Sequence, residues 1–236
     1  MAGHSKWNNI KRKKGKTDAQ RAKIFTKIGR EMAVAVKEGG SDPANNGKLR
    51  DLVAKARSLN VPNDNIDRAI KKAGEKDAAA YESITYEGYG PSGVAIMVET
   101  LTDNRNRTAG DLRHYLDKYG GNLGQSGSVG FLFSPKGIIV IEGDFAEDEI
   151  FEVCTECGAE DFEQADSVVE IYAEPGNLSA VREAVEKKGY VISSAQVEQI
   201  PATFTALDDE SKAKMEKLLE LLEDNDDVLE VWHNWE

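Results

Sequence analysis

Metal and covalent chemistry have little to work with in this sequence, which holds two cysteines and three histidines in 236 residues. Cys154 and Cys157 form one C-x-x-C. A zinc site needs more ligands, and His4, His114 and His233 stand at no ligand spacing from the pair. The run E-D-E-I-F-E-V-C-T-E-C-G reads as a helix with Ile150, Phe151, Cys154 and Cys157 near one face, so the thiols are expected to pack in a core. No nucleophile, base and orienting group stand together, and the many carboxylates fall at solvent positions. The expectation is no enzyme activity, no cofactor and no metal. Long apolar runs are also missing: nothing approaches the ~20 residues of a membrane span, and no apolar stretch of a secretory signal follows the charged N-terminus. A globular cytoplasmic protein without a membrane partner is expected.

Acidic residues are plentiful, 42 Asp and Glu against 30 Lys and Arg for a net charge of -12, yet the first sixteen residues contain none. That segment, M-A-G-H-S-K-W-N-N-I-K-R-K-K-G-K, carries Lys6, Lys11, Arg12, Lys13, Lys14 and Lys16 with one aromatic, Trp7. Such a stretch suits phosphates, with the ring stacking on a base or packing in a groove. The bias extends further, since residues 1–80 hold 19 Lys and Arg against 9 Asp and Glu, and residues 81–236 hold 11 against 33. A basic third attracts a polyanion and an acidic remainder is repelled by it, so binding should be one-sided.

Helical periodicity governs residues 18–74. Thr17 with Gln20 can form a capping box before Ile24, Phe25, Ile28, Met32 and Val36, and Gly39-Gly40 ends that run. Leu49, Leu52, Val53, Ala56 and Leu59 form a second stripe, and a third helix follows Pro62 and ends at Gly74. Residues 75–80 read as a linker. The period then becomes two, with strands at 83–89, 94–101 and near 129–133 around a helix at about 108–119. From Gly137 the order strand, helix, two strands, helix, strand is the ferredoxin-like βαββαβ unit. A strand near 203–206, a helix at 208–222 and a strand at 228–232 cannot stand alone and should complete the unit begun at 81. The expected fold is therefore α+β and multidomain. A basic tail (1–17) precedes a three-helix bundle with its linker (18–80) and a discontinuous α/β domain (81–135 plus 201–236), into which a ferredoxin-like domain (136–200) is inserted.

Beyond the tail, Arg21, Lys23, Lys27 and Arg30 continue the positive sign, and the last three lie at i, i+4 and i+7 along one side of the first helix. Tail and helix face are expected to form a continuous phosphate-binding surface, which Arg68, Lys71 and Lys72 could extend. A second candidate is T-D-N-R-N-R-T, residues 102–108, where Asp103 or Asn104 can cap a helix. Arg105 and Arg107 beside free helix-start N–H groups would contact phosphate, or else face solvent beside a pure cap; both readings stand. Glycines 121, 124, 127 and 130 do not make a P-loop, because no Gly-Lys-Ser/Thr follows and the next element is a strand.

The opening M-A-G-H-S-K-W-N-N-I, then D-A-Q-R-A-K-I-F-T-K, Y-E-G-Y-G-P-S-G, T-D-N-R-N-R-T, G-G-N-L-G-Q-S-G-S-V and D-D-V-L-E-V-W-H-N together resemble the YebC family, usually labelled probable transcriptional regulators. The resemblance runs in order along nearly the whole chain. It implies three domains, one helical and two α/β, and nucleic-acid binding without catalysis. Some members are described as DNA-binding regulators. Others, including the mitochondrial translational activator of cytochrome oxidase subunit one, act on translation at the ribosome. Three functions stay open: a DNA-binding transcriptional regulator, a ribosome-associated translation factor binding ribosomal RNA, and a protein-interaction scaffold built on the acidic domains. The sequence specifies no oligomeric state. Ala22, where many relatives have glycine, and the lysine-rich K-R-K-K-G-K depart from the family pattern.

Overall fold

The computed structural model describes residues 18–75, 80–165 and 167–236, with side chains from residue 23 onward except that of Ser58. Lys6, Trp7, Lys11, Arg12, Lys13, Lys14, Lys16 and the capping box at Thr17 lie outside the described residues, as does the Arg21 side chain. In chain order the elements are α1 (Asp18–Gly39), α2 (Gly47–Ser58), α3 (Asn63–Ala73), β1 (Glu82–Tyr89), β2 (Ala95–Thr102), α4 (Arg105–Lys118), β3 (Asn122–Leu123), β4 (Phe133–Glu142), α5 (Glu147–Cys157), β5 (Asp161–Ala165), β6 (Val168–Ala173), α6 (Leu178–Lys187), β7 (Ile192–Pro201), α7 (Asp209–Asp224) and β8 (Val228–His233). They divide into two units, one holding the described residues up to Gly130 with Leu207–His233, the other Phe131–Ala206 with Asn234–Glu236.

In the first unit α1 to α3 bury the expected stripes: Ile28, Met32 and Val36 meet Leu49, Leu52, Val53 and Ala56, with Ile66 from α3. The α1 run stops where Gly40 turns to φ +84°, a conformation that favours glycine. Asn46 locks the α1–α2 turn. Its Oδ1 accepts the Leu49 N–H at 3.1 Å, and its Nδ2 donates to the Ala35 and Gly40 carbonyls at 2.7 and 2.8 Å. Leu59, expected in the α2 stripe, is instead exposed as the residue that caps the helix.

The sheet of this unit runs β3-β1-β2-β8, antiparallel throughout. Every residue of β2 except Glu99 is buried, Ile96 and Val98 among them, as are Leu112 and Leu116 of α4 and Met215, Leu218, Leu219 and Leu222 of α7. Gly90 lets the strand end approach α7, since a Cβ there would stand 2.8 Å from Ile96 Cδ1 and 3.2 Å from Met215 Sδ. Strand β3 was not expected. Its two residues sit between glycines with no alternation to signal them, and only their pairing with Gly88 and Tyr89 makes a strand.

The second unit is the ferredoxin-like βαββαβ expected from the sequence, with sheet order β5-β6-β4-β7. Ile139, Ile141, Val169 and Ile171 face Ile150, Val153 and Cys154 of α5 and Val181 and Val185 of α6. On α5 the buried face is thus Ile150, Val153, Cys154 and Cys157, while Phe151, placed on that face from the sequence, is 63% exposed. Burial pushes the Cys154 thiol up to about 11, so this C-x-x-C holds no ready thiolate. The strand expected near 129–133 is a 3-10 turn over Gly130–Leu132. Strand β4 starts at Phe133 and pairs with the ten-residue β7 from Phe133↔Pro201 onward. Pro135 is tolerated there because β6 joins β4 only from Gly137, leaving one side of the strand without a neighbour. Residues 203–206 form no strand, only an isolated bridge between Thr205 and Trp235.

Candidate nucleic-acid interface

The final turn of any helix leaves carbonyls without intrahelical partners and a partial negative charge. At the end of α7 these groups are met by the face of α1 expected to bind phosphate. Lys23 Nζ donates to the Asp224 carbonyl at 3.1 Å and lies 2.9 Å from Asp224 Oδ2. Lys27 Nζ donates to the Glu223 carbonyl at 2.6 Å. Arg30, one turn further on, donates to the Asp226 carbonyl at 2.8 Å, the Leu101 carbonyl at 3.3 Å and Asp227 Oδ1 at 2.5 Å. Its guanidinium also lies 5.4 Å from the centre of the Tyr81 ring. Periodicity thus brings Lys23, Lys27 and Arg30 together as expected, but onto an acidic helix end of the same chain.

Asp227 is the centre of this arrangement and is 3% exposed. Its Oδ2 accepts from Arg107 Nη2 at 2.7 Å, Thr108 Oγ1 at 2.7 Å and Thr102 Oγ1 at 3.1 Å. Burial alone would raise its pKa; Arg107, Thr108 and Arg30 outweigh burial and hold the carboxyl below its ordinary value. Arg107 also donates to Asp103 at 2.8 Å. Asn104 caps α4, its Oδ1 accepting the Arg107 N–H at 3.1 Å, while Thr102 Oγ1 accepts the Asn104 N–H at 2.9 Å. Of the two arginines in T-D-N-R-N-R-T, Arg107 is therefore tied to two carboxylates. Arg105 is exposed, and its carbonyl accepts from Tyr86 Oη at 3.3 Å. Asp227 escaped the sequence reading because E-D-N-D-D looks like a solvated acidic run; only Thr102, Arg107 and Thr108 folding against it single it out.

On α3, Arg68, Lys71 and Lys72 are exposed, and no ion pair to them occurs among the described residues. Lys48 and Lys55 of α2, by contrast, pair with Glu38 and Glu31 at 2.9 and 3.2 Å. The glycine-spaced loop is not open to a phosphate. Three of its N–H groups, from Gly127, Val129 and Gly130, each donate to the Glu87 carboxylate at 2.7 Å. Burial would raise Glu87, but these donors prevail and hold it below its usual range. Glu87 is the second residue missed from the sequence, hidden in an ordinary alternating strand. No group of His, Cys, Asp and Glu able to hold a metal ion occurs among the described residues, and none of their helices is long and apolar enough to cross a membrane.

Residues 5–76 match the family described as the TACO1/YebC protein N-terminal domain, and residues 81–235 match the TACO1/YebC second and third domain. Proteins named probable transcriptional regulatory protein from Caldicellulosiruptor bescii and Ruminiclostridium cellulolyticum are 56% and 57% identical to this chain. The matches cover all of this chain and 98% and 97% of those proteins. A crystal structure of a conserved hypothetical protein from Aquifex aeolicus superposes with a TM-score of 0.84 at 45% identity, over 94% of this chain and 92% of that one.

Proposed function

The chain belongs to the TACO1/YebC family, and on that premise we propose that it is a non-enzymatic, cytoplasmic, nucleic-acid-binding regulator of gene expression. One observation carries the reading: positive charge is segregated, with 19 of 30 Lys and Arg in residues 1–80, and Arg68, Lys71 and Lys72 stay exposed on α3. Phosphate contacts draw on such cations, and counterion release makes the affinity depend on salt. The basic residues from Lys6 to Arg21 supply most of these contacts, Trp7 stacks on a base, and Arg105 adds a contact from the second domain. The relatives' names point to transcription and hence to duplex DNA.

Ribosomal RNA is the second reading, and the composition of α3 favours it. A helix that reads the major groove presents its first residues to base edges, yet the first turns of α3 carry exposed Asp64 and Asp67. An irregular RNA with splayed bases suits cations placed on a tail and at a helix start. Sedimentation with ribosomes, set against protection of duplex DNA at the same salt, tests the choice. Cosedimentation without duplex protection supports RNA. A chain that stays in the supernatant yet protects a defined duplex at nanomolar concentration makes the transcriptional reading correct. Failure of both at about 0.15 M salt overturns nucleic-acid binding and leaves a protein-interaction scaffold.

A further inference from the structure

We propose that Lys23 and Lys27 are a phosphate-binding pair held closed by the acidic end of α7, and that a nucleic-acid strand opens the contact by exchange while Arg30 stays on Asp227 as the pivot. This inference rests on the nucleic-acid reading above.

The two ends of the contact differ in burial. At the rim, the Lys23 and Asp224 side chains are 37% and 50% exposed; at the inner end, Arg30 and Asp227 are 16% and 4% exposed. An exposed pair is weak and screened by salt, whereas parting a buried pair strands a charge away from water. The contact therefore opens from the Lys23 end. The groups left behind at the rim tolerate opening, because the Glu223 and Asp224 carbonyls are helix-end acceptors that water satisfies once uncovered. The inner end is insured: Asp227 keeps Arg107, Thr102 and Thr108 whatever the lysines do. The segment E-D-N-D-D, residues 223–227, thus sets two carboxylates, Asp224 and Asp227, and the Glu223, Asp224 and Asp226 carbonyls against the cationic helix face. These oxygens occupy that face as phosphate oxygens would. A nucleic-acid strand, with one charge per nucleotide and counterions to release, competes for the same lysines.

The test uses the full-length chain with a 20-nucleotide single-stranded RNA, read by fluorescence anisotropy and by amide hydrogen exchange. Binding should raise exchange in residues 222–226, where the Asn225 N–H bonds the Leu222 carbonyl at 3.2 Å. Asp224→Asn should tighten binding about threefold by weakening the rim, and the double variant Lys23→Gln/Lys27→Gln should weaken it about tenfold. Asp209→Asn, which removes the same charge from the opposite end of α7, should leave affinity nearly unchanged. Unaltered exchange on binding, or equal tightening by Asp209→Asn and Asp224→Asn, overturns the exchange and leaves nucleic-acid binding standing. Absence of RNA and DNA binding in every form overturns both.

Discussion

On α1, Lys23, Lys27 and Arg30 reach carbonyls and carboxylates of residues 223–227, while on α3, Arg68, Lys71 and Lys72 meet no carboxylate among the described residues. Both sets are basic residues at helical spacing in the same bundle, and nothing in their local sequence separates them. What differs is the neighbour. The α1 set meets the end of a helix with orphaned carbonyls and an acidic segment behind it, and the α3 set meets solvent. Charge periodicity therefore specifies a cationic face without specifying what neutralises it.

The largest effect should come from the hub of the first set. Asp227→Ala leaves Arg30 and Arg107 facing a buried gap, and a loss of about 3–5 kcal/mol is expected, measured by urea unfolding. A loss below about 1 kcal/mol would put the α1 set on the same footing as ordinary surface charges. Glu87→Gln comes next. It replaces a charged acceptor of three N–H groups, and a cost of about 2 kcal/mol is expected, with faster amide exchange at Gly127, Val129 and Gly130 as its local signature.

Acid provides the same contrast without mutation. Asp227 and Glu87 are both held below their ordinary pKa values. Each therefore contributes stability that is present above the unfolded carboxyl value of about 4 and is lost as pH falls through the lowered folded value. Wild-type stability should fall steeply below about pH 4, and the fall should be shallower in Glu87→Gln, since one lowered carboxyl is gone. Parallel curves for the two proteins would remove Glu87 from the account.

The smallest change in stability belongs to the α3 set. Arg68→Gln/Lys71→Gln/Lys72→Gln should alter unfolding free energy by no more than about 0.5 kcal/mol. If the three contact duplex phosphates, the slope of log affinity against log salt should flatten by about 2.7. An unchanged slope with unchanged stability would mean that α3 presents an ordinary solvated face, and the contrast with α1 would lose its functional half.

Much of the fold was legible because it depends on local pattern. The stripe Ile28, Met32 and Val36, the caps at Asn104 and Gly74, and the short apolar runs of β2 and β6 each satisfy a rule that spans a few residues. The βαββαβ order followed from the succession of those patterns. Less legible were elements created by pairing. Asn122 and Leu123 became a strand only beside Gly88 and Tyr89, and Phe133 joined β4 because β7 extends to Pro201. Phe151 shows the limit of a stripe on one helix: it is turned about 100° from Ile150 on the side away from Val153, so it falls outside the face that packs.

For the candidate site, the sequence by itself determined the sign and position of charge: a basic N-terminal third, an acidic remainder and an arginine pair at a helix start. Those are properties of the chain, unchanged by folding. Only the tertiary structure decided which charges oppose one another, because an ion pair depends on distance in space and burial rather than on separation along the chain. Asp227 lies 197 residues from Arg30 and 120 from Arg107. No local pattern relates positions so far apart, so the packing of α1 and α4 against the end of α7 was needed to reveal that the cations expected to hold phosphate already hold a carboxylate.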